Sequence, residues 1–231
     1  RADLGAALKD GGIAADSLRL GLILMHAELE QLVCSGPRRG KQHTYALLDQ
    51  RVPAASPKPA DEALAELTAR YFASHGPATV KDFSWWSSLT MAQCRRGVTL
   101  AADRLESAAI DGVTYWTGAV ESAAEVLTAR VQLLQPYDEY VVAYSESKWV
   151  VDLAGWGQRR PEYGGYIGIL VRRTQLAGFW KRTVKTSQVI VDVQLFESFD
   201  DDATEALRHA VDEHARFLGR TGVLAEPAMI S

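Results

Sequence analysis

Apolar residues in the first part of the chain recur at the spacing of a helix. Spacings of 4, 3, 4 and 3 positions trace one apolar stripe of an α-helix: Leu18, Leu22, Met25, Leu29 and Leu32. Asp16 or Ser17 is suited to cap its N-terminus. Upstream, the pattern predicts a shorter helix that ends at Gly11-Gly12.

Two short apolar runs follow the long helix. The runs LVCS and HTYALL flank the turn GPRRGK and predict a β-hairpin with a basic tip. The order of short helix, turn, long helix and hairpin is typical of a winged helix-turn-helix domain. We therefore predict such a domain over residues 1–52 and leave open whether residues before Arg1 complete it.

A segment with three prolines in seven residues, Pro53 to Pro59, predicts an extended linker over residues 53–60. A second helical pattern begins beyond it and closes at Gly76-Pro77. Capping boxes, in which a hydroxyl and a polar side chain three positions later bond each other's backbone, are predicted at Thr79 with Asp82 and at Thr90 with Gln93.

The second box opens a predicted long helix, TMAQCRRGVTLAADRLESA, with Cys94, Val98, Ala101 or Ala102, and Leu105 on one face. The strand-like run GVTYWTG follows it, and the turn before that strand carries the acidic Asp111. Helix, short helix, long helix and strand predict a second winged helix over residues 61–118, with a short wing.

Residues 119–231 change in character and become rich in Val, Ile, Thr and aromatic residues. Alternation predicts three antiparallel strands with tight turns near Arg173-Thr174 and Lys185-Thr186. The final regular element is predicted to be a helix that starts after three aspartates, buries Leu207, Val211 and Leu218, and ends at Gly219. The predicted fold class is α+β: tandem winged helices followed by a β-rich, barrel-like module with a terminal helix.

Composition excludes several classes of protein. No apolar run approaches the roughly 18 to 20 residues that span a bilayer, and the start lacks the apolar core of a secretory signal. Two cysteines, Cys34 and Cys94, support neither a disulfide framework nor a cysteine metal site. No nucleotide-binding glycine motif and no cluster of metal ligands occurs, so we expect no cofactor, no metal and no membrane partner, and a cytoplasmic, nucleoid-associated location.

The net charge of −4 does not indicate a nucleic-acid-binding protein, but the charge is unevenly distributed. Residues 36–52 carry a local charge of +3. Phosphate binding depends on such a local patch more than on the total. Basic side chains of the turn and of the two long helices are the candidate contacts to double-stranded DNA: Arg38, Arg39, Lys41, His43, Arg19, Arg95 and Arg96. A solvated hairpin tip, which protects a strand edge from aggregation, is the alternative for the turn.

Two further groups carry alternatives. Asp138 and Glu139, beside Tyr137 and Tyr140, are weak candidates for a catalytic carboxylate pair of a glycosylase, and a structural role is the preferred interpretation. Trp85 could provide a platform for base stacking, but core packing is preferred for the aromatic run that contains it.

Three strings resemble, in this order, the winged-helix DNA-binding family that contains the AlkZ-type DNA glycosylases: LEQLVCSGPRRGKQHTYALLDQRV, YFASHGPATVKDFSWWSSL and LLQPYDEYVVAY. The segment HGPATVKDFSWW is the most specific of them, and the run from residue 157 to residue 182 and the later ARFLG are similar too. The resemblance implies tandem winged helices, a β-rich domain and a concave DNA-binding surface. It also implies, in some members, removal of alkylated or crosslinked bases from DNA.

Those enzymes use a Gln-x-Gln catalytic motif near their N-terminus, and no two glutamines of this sequence lie two positions apart. The order of motifs in the family would place that motif before Arg1. In the family the proline directly follows the leucine pair, whereas here Gln135 lies between that pair and Pro136, and the run YSESK stands where an arginine is expected. We therefore predict a DNA-binding winged-helix protein of DNA repair, with a base-excising enzyme and a non-catalytic regulator or protein-interaction module as alternatives.

Overall fold

The computed structural model describes residues 1–54, 56–118, 131–159 and 167–230. They form two compact units, Arg1–Lys58 and Pro59–Ser231. The start of the predicted third domain at residue 119 and part of the family-like run from residue 157, namely residues 160–166, lie outside the described residues. The division into three domains remains a prediction.

The smaller unit contains two helices, a hairpin and one further helical turn. Its elements are α1 (Ala2–Asp10), α2 (Ser17–Leu29), β1 (Val33–Ser35), β2 (Tyr45–Leu47) and α3 (Leu48–Arg51). The backbone N–H of Arg19 donates to the Asp16 carboxylate, so Asp16 is the N-cap of α2. The strands β1 and β2 pair antiparallel, which confirms the predicted hairpin.

The apolar stripe of α2 is exposed. The five residues of the predicted stripe keep between 51 and 73% of their surface accessible: Leu18, Leu22, Met25, Leu29 and Leu32. Leu32 lies beyond the helix, which ends at Leu29 and not after Leu32 as predicted. Instead, Leu20 and Leu24 are the buried residues of α2. These two lie one helical turn apart, and the Leu20 side chain approaches Gly5 of α1. Contact with α1 therefore selects a side of α2 that the long apolar stripe does not mark.

The larger unit begins with three helices and a hairpin. The elements are α4 (Ala60–His75), α5 (Val80–Ser87), α6 (Met91–Leu100), β3 (Leu105–Ile110) and β4 (Val113–Gly118), with a 3₁₀ turn over Ala102–Arg104. Both capping boxes, at Thr79 with Asp82 and at Thr90 with Gln93, are confirmed.

The predicted continuation of α6 through residue 108 is wrong. The helix ends at Leu100, and Leu105–Ile110 pairs antiparallel along its whole length with β4. Cross-strand pairing outweighs the helix propensity of this Ala- and Glu-containing stretch. The hairpin is therefore longer than the predicted short wing, and its turn is formed by Asp111 and Gly112, both with positive φ.

A first core lies between these helices and the hairpin. Its buried members are Tyr71, Phe72, Ala78, Phe83, Cys94 and Val98. The backbones of α4 and β4 approach each other closely there, since a Cβ on Gly118 would lie 2.7 Å from Ala73 Cα. Glycine is needed at this position because there is no space for a side chain. Its backbone φ is not in the left-handed region, so conformational freedom is not the reason.

The rest of the larger unit is a mixed sheet that curls into a half-barrel, with one long helix. Its elements are β5 (Val131–Leu134), α7 (Glu139–Val142), β6 (Gly168–Arg172), β7 (Gln175–Val184), β8 (Gln188–Leu195), α8 (Asp201–Phe217), β9 (Thr221–Leu224) and β10 (Ala228–Met229), with 3₁₀ turns over Lys148–Val151 and Trp156–Gln158. The strands β5 to β8 are antiparallel neighbours in that order, with the predicted turn at Arg173-Thr174 between β6 and β7. This confirms a β-rich module with a long helix near its C-terminus.

The helix α8 packs on the sheet through Leu207, Val211 and Ala215, which form a second core with residues of β5 to β8. The sequence predicted that this helix is the last regular element, and that prediction is wrong. The strands β9 and β10 follow it, and both pair parallel with β8. They are only four and two residues long, too short for alternation to reveal them.

Candidate functional site

The basic turn of the smaller unit is held by its own backbone. Arg39 and Gln42 exchange two backbone hydrogen bonds of 3.1 Å, and Gly40 between them has a φ of 63°. The N–H of Gly36 donates to the carbonyl of Thr44, and the Thr44 hydroxyl donates to the carbonyl of Pro37. The turn therefore presents its side chains from a defined loop at the end of the hairpin.

Four basic or imidazole side chains of this turn are exposed: Arg38, Arg39, Lys41 and His43. Arg39 lies 3.5 Å from Asp3 of α1, with both side chains more than three-quarters exposed. A pair exposed to that degree contributes little and exchanges readily with another anion. Within the described part of the chain, Arg38, Lys41 and His43 form no ion pair. The turn thus retains its positive charge.

Arg19 belongs to the same unit as the turn but to a different element. Its exposed side chain lies in the first turn of α2, and within the described ranges it forms no ion pair. The contacts of the structure do not join Arg19 to the basic turn.

Arg95 and Arg96 lie on α6 in the larger unit. The guanidinium of Arg96 donates two hydrogen bonds, of 3.0 and 2.6 Å, to the two oxygens of Asp61 in the first turn of α4. These hydrogen bonds from Arg96 hold the pKa of Asp61 below its usual value. Arg95 is exposed and points elsewhere, because adjacent helical residues are about 100° apart. Arg95 is therefore more available to an external anion than Arg96.

The carboxylates of Asp138 and Glu139 both have partners within the protein. Asp138 caps α7 by accepting from the N–H of Tyr140 at 3.0 Å. Glu139 bonds Nε2 of His75 at 3.2 Å and lies 3.4 Å from Nε1 of Trp86. These contacts connect α7 to α4 and α5. They give each carboxylate a structural role, and their catalytic roles stay a hypothesis.

The sequence predicted that Asp82 caps α5 together with Thr79, but it did not predict that the Asp82 carboxylate is buried and bonds a distant segment. Asp82 is fully buried and also accepts hydrogen bonds from the backbone N–H groups of Ser145, Glu146 and Ser147, at 2.7 to 3.1 Å. Burial raises its pKa, but the hydrogen bonds, above all that of the Ser147 hydroxyl, lower it further, so the net pKa is below the usual value. The sequence contains no signal that pairs residues so far apart.

The face of α5 that carries Trp85 borders an open cleft of about 630 Å³. Lys81, Ser84, Ser88 and Ser145 contribute to its lining. Phe83 is fully buried and Trp86 packs against the same core, as predicted, whereas Trp85 is 63% exposed. Core packing thus accounts for Phe83 and Trp86 but not for Trp85.

The family model described as DNA glycosylase AlkZ-like matches residues 1–217. The chain belongs to this family. The structure of Streptomyces sahachiroi DNA glycosylase AlkZ is similar to that of this AlkZ-like chain, with a TM-score of 0.67 and 20% sequence identity. At this identity the likeness shows a shared fold. A search of curated proteins found no match.

The AlkZ-like chain spans about half of the similar structure: the match covers 86% of this chain and 55% of the Streptomyces protein. Among the described residues of the AlkZ-like chain, no three His, Cys, Asp or Glu side chains are grouped as a metal site. None of the helices that the structure describes has the length and apolar character required to cross a membrane.

Proposed function

We propose that this AlkZ-like chain binds double-stranded DNA in the course of DNA repair, and that Arg38, Arg39 and Lys41 contact phosphates. The observation that carries the proposal is the exposed basic turn on an ordered hairpin, in a chain that belongs to a DNA glycosylase family. Lysine and arginine on such a loop neutralise phosphates and position the protein without reading base sequence. A protein that works on chromosomal DNA of a bacterial cell acts in the cytoplasm, at the nucleoid.

The order of elements supports the finer proposal that both units use winged-helix geometry. In the larger unit, the helices α4, α5 and α6 precede the β3–β4 hairpin; in the smaller unit, α1 and α2 precede the β1–β2 hairpin. In this arrangement a hairpin and a helix can touch one duplex. Arg19 on α2 and Arg95 on α6 are then further phosphate contacts, and Arg96 contributes only if it leaves Asp61.

The proposal is tested by measuring binding of the full chain to a fluorescently labelled duplex at several salt concentrations. Neutralising three phosphates gives a slope of log K against log salt of about −2.7. Replacing both Arg38 and Arg39 by alanine should flatten the slope by about 1.8 and weaken binding to unrelated duplexes equally, because phosphate contacts carry no sequence information.

The matched control removes the same charge elsewhere, by replacing Arg208 and Arg216, two exposed residues of α8, with alanine. This variant should retain the slope of the unaltered protein. An unchanged slope after removal of Arg38 and Arg39 would exclude the turn from the binding mechanism. Absence of duplex binding by the unaltered chain at low salt would favour a regulator or protein-interaction module, in which the acidic last third of the chain meets a protein.

Membership of a DNA glycosylase family favours a second function, hydrolysis of the N-glycosidic bond of an alkylated or crosslinked base. Asp138 and Glu139 are the carboxylates that such an activity of this chain could use. The test is release of a methylated base from duplex DNA by the unaltered chain and by its Asp138→Asn and Glu139→Gln variants. Release that persists in both variants would assign the chemistry to other groups.

A further inference from the structure

The cleft beside α5 combines one aromatic face with a polar rim. Its volume of about 630 Å³ lies within the range of pockets that hold small organic molecules. Trp85 forms the aromatic side, and the polar rim includes Lys81, Ser84, Ser88 and Ser145. Such a cleft suits a flat ring that carries polar groups on its edge.

Trp85 is oriented although it is exposed. Its Nε1–H donates to the carbonyl of Val142 at 2.8 Å, which fixes the edge of the indole against the segment that follows β5. The polar atom of the ring is thereby satisfied, and the apolar face remains open to solvent. Leaving a tryptophan 63% exposed forgoes most of the free energy of burying it. An indole held in this way is prepared to stack on a planar partner.

The rim offers groups for hydrogen bonding and one positive charge. Ser88 follows α5 in the left-handed conformation, which places it at the turn towards α6. The ammonium of Lys81 bonds the Glu146 carboxylate, yet the Lys81 side chain is 64% exposed. Because Glu146 offsets much of that charge and Asp82 behind it is also anionic, Lys81 adds only a minor attraction for phosphate, and stacking on Trp85 dominates.

We propose that this cleft binds one unpaired nucleobase of DNA, stacked on the indole of Trp85. Every nucleobase has an aromatic face, so such binding tolerates different bases and depends on the base being outside the helical stack. The inference rests on the proposed DNA binding and adds the part of the DNA that the larger unit recognises. It concerns residues of the larger unit alone and does not depend on the proposed phosphate contacts of the basic turn.

The test compares two labelled duplexes of 15 base pairs, one fully paired and one with a single unpaired thymidine at its centre. The unaltered full chain should bind the bulged duplex more tightly. Trp85→Ala should weaken binding of the bulged duplex by roughly 5- to 150-fold, the range for loss of one base–aromatic stack, and leave the paired duplex unchanged. Trp85→Phe should retain most of the preference for the bulged duplex, because phenylalanine can stack on a base. Some preference should be lost, because phenylalanine cannot donate a hydrogen bond to Val142 and its ring is held less firmly.

Trp149→Ala is the matched control, since Trp149 is also exposed, at 55%, and is not part of the cleft lining. It should bind both duplexes as the unaltered chain does, and thermal unfolding followed by circular dichroism should be similar for all variants. Equal loss for both duplexes in Trp85→Ala, or no loss for either, would overturn the proposal.

The same assay separates this proposal from the proposed phosphate contacts. Replacing Arg38 and Arg39 should weaken binding to both duplexes equally, whereas Trp85→Ala should weaken binding to the bulged duplex only. A selective effect of Trp85→Ala together with no effect of the arginine variant would refute the basic turn and retain the stacking site. The reverse result would retain the turn and refute the stacking site.

Discussion

The carboxylate of Asp82 connects two parts of the larger unit. It accepts from Thr79 within the capping box of α5 and from three consecutive backbone N–H groups, of residues 145–147. A fully buried ionised carboxylate is costly unless its oxygens are satisfied, and here both oxygens are. The residues that replace the arginine expected from the family, YSESK, thus supply the partners of a buried anion.

Asp82→Asn should destabilise the larger unit by about 3 kcal/mol, because an amide has one acceptor oxygen where the site offers donors to two. Urea unfolding followed by tryptophan fluorescence measures the loss. Asp138→Asn is the control, since asparagine caps a helix as well as aspartate does, and it should cost only a few tenths of a kcal/mol. Equal costs for the two variants would contradict the role assigned to the hydrogen-bonded network.

The same carboxylate makes stability depend on pH. Its pKa in the folded protein is below the usual 3.8, so its contribution is complete above that value and is lost as the pH falls below 3.8 through the folded pKa. Unfolding free energies measured between pH 5 and pH 2 should therefore decrease less steeply in Asp82→Asn than in the unaltered protein. Identical pH profiles would show that Asp82 remains protonated or unpaired.

Helix α2 is amphipathic in sequence, but the described structure buries the less conspicuous side of it. Leu24 is 7% exposed and Leu22 is 52% exposed, although both belong to the same apolar run. The hydrophobic stabilisation of the smaller unit therefore depends on Leu24 and not on Leu22.

Leu24→Ala should destabilise α2 by roughly 2 to 3 kcal/mol through a cavity, and Leu22→Ala by less than about 0.5 kcal/mol. All six tryptophans lie in the larger unit, so their fluorescence does not report on this helix. Hydrogen exchange of α2 peptides in the full chain is the appropriate measurement. Comparable loss of protection in both variants would show that the stripe is covered in solution.

At the scale of the whole molecule, the two clusters of buried side chains both belong to the larger unit, which begins at Pro59. One surrounds Phe72 and Phe83, and the other lies between α8 and the sheet. The larger unit therefore contains the apolar contacts that it requires to fold by itself, as a domain does.

A fragment of residues 59–231 should therefore unfold in urea with the same midpoint, by tryptophan fluorescence, as the full chain. A lower midpoint would show that residues 1–58 stabilise it. Because the fragment lacks both the basic turn and Arg19, its binding to a paired duplex should depend less on salt, with a slope flatter by at least about 2.7. Its preference for the bulged duplex should persist.

The sequence by itself determined the features that depend on neighbours a few residues apart. The capping boxes of α5 and α6, the turn at Arg173-Thr174 and the alternation of β6 to β8 were all predicted, because hydrogen bonds and side-chain periodicity within one element are encoded locally. The family was recognised from strings of the same local kind, and the exposed charge of the basic turn followed from its composition.

Tertiary structure decided what depends on distant partners. Contact with α1 selected the buried side of α2, pairing with β4 turned the expected end of α6 into β3, and the edge of β8 ordered β9 and β10. Asp82 meets residues more than 60 positions away, and Trp85 meets Val142 across a similar separation. These choices follow from which surfaces meet when the chain closes, and the free energy of such contacts is not written in the spacing of residues along it.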